Sequence, residues 1–161
     1  MTKVLYLHGL YSRPGGFKPT FLRSQGFEVI NPHLPDEDFA ESVRRAREAF
    51  EGERPDVVVG SSRGGAVALA VPTGEVPAVL IAPAWKRWGS ADVLATRRTV
   101  ILHSEGDEVI PIEDSRELIC RSGLRPEALR VVGIDHNMTD AEALETLRLA
   151  IEQAARTQDQ G

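Results

Sequence analysis

An uninterrupted apolar run, Val57-Val58-Val59, leads straight into Gly60-Ser61-Ser62-Arg63-Gly64-Gly65 and then into Ala66-Val67-Ala68-Leu69-Ala70. Such a passage reads as a buried strand, a sharp turn and a helix, with a serine at the apex. Only small residues two before and two after Ser62 let strand and helix approach so closely, hence Gly60 and Gly64, with Gly65 beside them. The turn lifts the Ser62 hydroxyl off the sheet in a strained backbone conformation. The helix behind it directs its positive end at the same spot, where a developing oxyanion would be held. Ser61 has the wrong spacing to the glycines and reads as a support for the turn. A plain helix N-cap role for Ser62 would leave the paired glycines unexplained.

A nucleophilic serine needs a base and a group that orients the base. Two later apolar runs end in candidates. Thr99-Val100-Ile101-Leu102 enters the loop His103 to Pro111, which holds Asp107, and Leu129 to Ile134 enters Asp135-His136. Strand ends of a parallel sheet share one edge, so these distant side chains can converge there. Of the other histidines, His8 follows the first strand and shapes its loop, His33 sits between prolines ahead of the serine, and His103 ends a strand. Their spacing does not suit a metal. Asp107 has acidic neighbours in Glu105, Glu108, Glu113 and Asp114, which are expected to be solvated, and Asp135 is too close to His136 in sequence to orient its ring.

Six apolar runs read as strands: Val4–Leu7, Phe27–Ile30, Val57–Val59, Ala78–Ala82, Val100–Leu102 and Leu129–Ile134. The third, fourth and fifth have almost no polar interruption, as strands covered on both faces should. Glu28 and Arg130 mark the second and sixth as edges. Helical faces lie between them, Phe39, Val43, Ala46 and Phe50 on one and Leu144, Leu147, Ile151 and Ala154 on another. Thr139-x-x-Glu142 matches a capping box at the start of the last helix. Alternating strands and helices predict an α/β fold, a doubly wound and mainly parallel sheet in the order 2-1-3-4-5-6, with its switch point between the first and third strands.

The segments Leu7-His8-Gly9-Leu10, Gly60 to Gly65, His103 to Pro111 and Asp135-His136 are similar, in order and context, to the four signature regions of the α/β-hydrolase superfamily. The resemblance runs from the first strand to the last helix and implies a minimal α/β-hydrolase fold. By position it implies Ser62 as nucleophile, Asp107 as acid and His136 as base, with the backbone N–H groups of Leu10 and Arg63 forming an oxyanion hole. The chain departs from the commoner pattern by lacking extra N-terminal strands and a cap insertion, and by placing an arginine after the nucleophile. The Arg63 guanidinium could clamp a substrate carboxylate or phosphate, but pairing with an internal carboxylate such as Glu105 is the simpler expectation.

Trp85 and Trp88 follow the fourth strand, where larger relatives insert a cap. The stretch before the fifth strand is too short for a folded lid. The two tryptophans are therefore expected to wall an open acyl pocket with Tyr11, Val109 and Met138, the alternative being simple packing over the sheet edge. The reading that follows is hydrolysis of carboxylic esters or thioesters with short acyl groups through an acyl-enzyme. The rivals are acyl transfer to an alcohol or peroxide on the same residues, and a non-catalytic binding module on the same fold. Dinucleotide binding fits poorly, because His8-Gly9-Leu10 stands where G-x-G-x-x-G would be needed. A small-molecule substrate is the expected partner, with no cofactor and no metal.

The 161 residues are expected to form one domain over residues 1–156, with a disordered tail from Thr157 to Gly161. A net charge of −5 argues against nucleic acid as a partner. Arg44, Arg45 and Arg47 cluster, but Glu41 and Glu48 flank them, as on a solvated helix face. Cys120 is the only cysteine, so no intramolecular disulfide can form, and it is expected to be a small buried hydrophobe. No apolar stretch approaches the roughly 20 residues of a membrane span. A strand starting within a few residues of Met1 leaves no room for a signal peptide, so the cytoplasm is the expected location. Nothing in the sequence speaks to oligomeric state.

Overall fold

The computed structural model describes residues 1–159. Its six strands are β1 (Lys3–Leu7), β2 (Glu28–Ile30), β3 (Val57–Ser61), β4 (Ala78–Ile81), β5 (Thr99–His103) and β6 (Leu129–Val131). They form one sheet in the order β2-β1-β3-β4-β5-β6, as expected, and every neighbouring pair is parallel. Five helices cover it: α1 (Phe17–Ser24), α2 (Phe39–Glu53), α3 (Arg63–Ala70), α4 (Ile112–Arg121) and α5 (Ala141–Asp159).

Side-chain alternation along the strands divides the interior into two layers. Val4 and Tyr6 of β1, Val57 and Val59 of β3, and Val79 and Ile81 of β4 face Leu22 of α1 and Leu147 and Ile151 of α5. Leu5, Leu7, Val58, Leu80 and Ile101 face Ala46 of α2, Val67 of α3 and Leu118 of α4. The sheet is therefore buried on both sides, which is why its central strands carry unbroken apolar runs. Register aligns the strand exits: Leu7 pairs with Gly60, Ser61 with Ile81 and His103 with Val131.

Several local expectations are corrected. β6 ends at Val131 rather than Ile134, because Gly133 turns the chain at φ +90° and its carbonyl accepts from Ser104 Oγ at 3.0 Å. α5 is capped by Asp140, not Thr139: its Oδ2 accepts from the Ala143 N–H at 3.1 Å, and its carbonyl accepts from the Leu144 N–H. Ala143, Leu147, Ala150 and Ile151 form the most buried face of α5. Cys120 is exposed, since the inward face of α4 is Ile112, Ser115, Leu118 and Ile119. α5 carries Thr157 and continues to Asp159, within the tail expected to be disordered; Gln160 and Gly161 lie outside the described residues. The arginines of α2 pair along their own helix, Arg44 with Glu41 and Glu48, Arg45 with Glu41, and Arg47 with Glu51. Among the described residues no helix is long and apolar enough to cross a membrane.

Candidate active site

Ser62 sits between β3 and α3 at φ +55°, ψ −116°, a region L-residues avoid and tolerate only where the surroundings hold them there. Backbone hydrogen bonds do so. The Ser62 N–H donates to the Ile81 carbonyl at 2.8 Å, and its carbonyl accepts from the Gly65 and Ala84 N–H groups, both at 2.9 Å. A Cβ on Gly60 would meet the Gly64 carbonyl, and one on Gly64 would run into the Leu7 carbonyl. The glycines are thus required by the close approach of β1, β3 and α3.

His136, in the loop after β6, places Nε2 3.1 Å from Ser62 Oγ and Nδ1 2.7 Å from Asp107 Oδ2. A carboxylate accepts, so Nδ1 carries the proton and Nε2 offers its lone pair to the serine hydroxyl. The Asp107 side chain is fully buried. Its Oδ1 accepts from the Val109 and Ile110 N–H groups, both at 2.8 Å. Burial pushes this carboxyl up, but the His136 bond and the two amides together outweigh it and hold it below the ordinary carboxylate value.

A second histidine touches the acid. His103, at the end of β5 and fully buried, has Nε2 3.2 Å from Asp107 Oδ2 and 2.9 Å from the Ile110 carbonyl. That carbonyl can only accept, so Nε2 bears the proton and Nδ1 accepts from the Ser115 hydroxyl at 2.7 Å. His8 is equally fixed. Its Nε2 accepts from the Leu34 N–H at 2.9 Å, which leaves Nδ1–H to donate to the Gly9 carbonyl at 2.9 Å. Burial pulls both imidazoles below their usual range, so they serve as neutral struts. His8 shapes the loop after β1, as the sequence suggested; the position of His103 on the acid was not foreseen.

The loop after β1 rides on the serine turn, and a Cβ on Gly9 would stand 3.4 Å from Ser62 Cβ. Among the described residues, neither the Leu10 nor the Arg63 backbone N–H has a hydrogen-bond partner. The Arg63 side chain departs from both expectations. It does not reach Glu105, whose partner is Arg116, and it does not line the crevice at Ser62. It is 1% exposed, donating to the Pro35 carbonyl at 2.9 Å and Ser42 Oγ at 3.2 Å, between the rings of Phe39 and Trp88. Its Nε is unpartnered among the described residues.

A crevice of about 290 Å³ opens at Ser62 and His136, walled by Leu10, Tyr11, Trp88, Val109, Asn137 and Lys18. Tyr11, Trp88 and Val109 are where the sequence reading put them. Trp85 and Met138 are not. Trp85 is 3% exposed, packs in the α2–α4 layer and donates from Nε1 to the Asp114 carbonyl. Met138 is 2% exposed and belongs to the opposite layer. Apolar side chains near a strand end read alike in sequence whether they wall a pocket or fill the core. Asn137 and Lys18 escaped notice because neither belongs to a motif. Among the described residues no group of three or more His, Cys, Asp or Glu side chains is placed to share a metal ion.

The sequence profile of the alpha/beta hydrolase family matches residues 4–155. The chain belongs to the α/β-hydrolase family. Solved structures similar to this α/β-hydrolase share its fold over nearly the whole chain. A protein of the alpha/beta superfamily from Xanthomonas campestris is 22% identical, with a TM-score of 0.76, covering 98% of this chain and 99% of its own. A serine hydrolase without lid from the same species is 18% identical, with a TM-score of 0.67 and coverage of 97% and 81%. The esterase domain of a Rhodothermus marinus protein is 21% identical, with a TM-score of 0.65 and coverage of 96% and 86%. No curated protein matches the sequence. In this α/β-hydrolase neither helix nor strand interrupts Ala82–Arg98, between β4 and β5, so no cap is inserted there among the described residues.

Proposed function

We propose that the protein is a serine hydrolase of carboxylic esters or thioesters with short acyl groups. The observation that carries this is the hydrogen-bonded chain from Ser62 Oγ through His136 to Asp107, at 3.1 and 2.7 Å, beside two free backbone N–H groups. Ser62 Oγ attacks the acyl carbon while His136 Nε2 takes the hydroxyl proton. The Leu10 and Arg63 amides receive the charge that develops on the carbonyl oxygen. Collapse breaks the bond to the alkoxide or thiolate, which leaves with the proton from His136. Water then gives a proton to the same Nε2 and attacks the acyl-enzyme; the acid departs and Ser62 regains its hydrogen. Asp107 stabilises the imidazolium in both halves. The esterase and lidless serine hydrolase among similar structures support the reaction class.

The acyl preference follows from the open crevice. A chain there buries only a few methylenes, each worth about 0.8 kcal/mol when fully buried, before it reaches solvent. A fluorophosphonate probe should label the wild type and Ser61→Ala but not Ser62→Ala. On nitrophenyl esters kcat/KM should climb with chain length and then flatten or fall beyond about six carbons. Labelling that survives in Ser62→Ala refutes the assignment, and a steady rise through long chains refutes the short-acyl preference.

A further inference from the structure

Beyond the crevice at Ser62 lies a second hollow of about 460 Å³, formed between the loop after β1, the start of α1 and the loop after β6. Gly9, Ser12, Lys18, Ser61 and Asn137 line both, so the two adjoin. The charged side chains along this combined surface are Arg13, Lys18 and Arg87, and no Asp or Glu lines either part. That is an unusual balance for a chain with 24 acidic residues against 19 basic ones. Arg87 gives one N–H to the Val109 carbonyl at 2.5 Å, and both it and Arg13 are exposed. Lys18 is half-buried. Among the described residues its ammonium has no salt bridge, and no side-chain hydrogen bond is made by it. The carboxylate that acts on it, Asp135, lies beyond salt-bridge contact and is already turned to the Asn137 and Met138 N–H groups.

A cation removed from water without a counter-charge costs free energy and is retained where a ligand can supply that charge. Burial pulls the Lys18 ammonium down to about 8, against a smaller opposing pull from Asp135. An anion seated beside it would be held in a partly dry site, where charge-assisted hydrogen bonds are strong.

We propose that Lys18 is a specificity-determining residue that seats an anionic group of the substrate, a carboxylate or a phosphate, in the hollow beside Ser62. The inference rests on the hydrolase reading and narrows its substrates to acidic esters or thioesters. The neutral end of the acyl group or alcohol sits at Leu10, Trp88 and Val109, and the charged end reaches past Ser61 to Lys18.

The test compares matched esters that differ only in charge: phenyl acetate with 3-carboxyphenyl acetate, and nitrophenyl hexanoate with the nitrophenyl monoester of adipate. In the wild type, kcat/KM should favour the anionic member of at least one pair by about ten-fold. Lys18→Met should collapse that ratio toward one, and Lys18→Arg should keep most of it. A second arm needs no turnover. Benzoate, phenyl phosphate and benzyl alcohol are titrated by NMR into Ser62→Ala and into the same protein with Lys18→Met. Either anion should bind more tightly than the alcohol, and the tighter of the two distinguishes carboxylate from phosphate; Lys18→Met should weaken the anions alone. Ester turnover with no charge preference and no Lys18-dependent binding overturns this proposal and leaves the hydrolase reading intact. Lys18-dependent binding without turnover or fluorophosphonate labelling overturns the hydrolase reading and the substrate assignment with it, and leaves Lys18 only as an anion site.

Discussion

His8 and His103 are buried, neutral and hydrogen-bonded through both ring nitrogens, and this couples the stability of the site to acid. Each imidazole takes up its proton at a lower pH in the fold than in the unfolded chain, where the ordinary value is about 6.5. Between those values the unfolded chain binds more protons, so stability falls as pH drops through that range. Asp107, held below its ordinary value, adds a further loss once pH falls below about 4, where the unfolded carboxyl protonates first. Thermal melts should therefore lose Tm steadily from pH 7 to 5. His8→Gln and His103→Gln should each start lower, having lost packing and bonds, yet fall less steeply. Parallel slopes in all three proteins would mean that neither imidazole is forced to stay neutral. The histidine positions were legible in the sequence, but which ring braces the acid was not. That depends on the loop from His103 to Asp107 folding back so that His103 Nε2 meets the same Asp107 oxygen that accepts from His136 Nδ1.

One connection governs the geometry of the candidate oxyanion donors. The segment between β2 and α2 offers the Leu34 N–H to His8, and Asp36 Oδ1 accepts from the Tyr11 N–H at 3.0 Å. The same segment presents the Pro35 carbonyl to the guanidinium of Arg63. It therefore ties the loop that carries Leu10 to the helix that begins at Arg63, and sets the separation of the two amides. Removing one donor of such a pair costs about a hundred- to a thousand-fold in rate, and misplacing it costs part of that. Asp36→Asn, which keeps an acceptor for the Tyr11 N–H, should lower kcat less than Asp36→Ala, which removes that hydrogen bond and should lower kcat by about ten-fold with a small change in KM. An unchanged kcat would show that the loop holds its place without this tie. Sequence pattern could not reveal it, since Asp36 and Arg63 are each hydrogen-bonded to a backbone amide or carbonyl rather than to an opposite charge, which leaves no paired-charge signature. By contrast the strands, the glycine turn and the edge where they converge were all legible, because burial on two faces and a close backbone approach leave few residue types available. α1 left no clear trace, since it buries only Pro19 and Leu22, and with it Lys18 went unnoticed.

At the scale of the molecule, the candidate catalytic residues all lie at one edge of the sheet, and so does nearly all the backbone strain. Tyr11, Ser62, Ala82 and Met138 hold positive φ there, at 60°, 55°, 43° and 54°, while Arg54 ends α2. The Ser62 conformation is the mirror image of an ordinary extended one, which glycine occupies without penalty. Ser62→Gly should thus be inert toward esters and still melt about 3 °C above Ser62→Ala, the relief of roughly 1 kcal/mol in a domain of this size. A lower Tm for the glycine variant would show that the turn is relaxed. Heat resistance and the proposed activity consequently compete for the same few residues, and random selection for endurance will tend to blunt that activity. The opposite edge, where the strands begin at Lys3, Glu28, Val57, Ala78, Thr99 and Leu129, carries no such conflict. Ruggedising substitutions, immobilisation tethers and fused partners belong there.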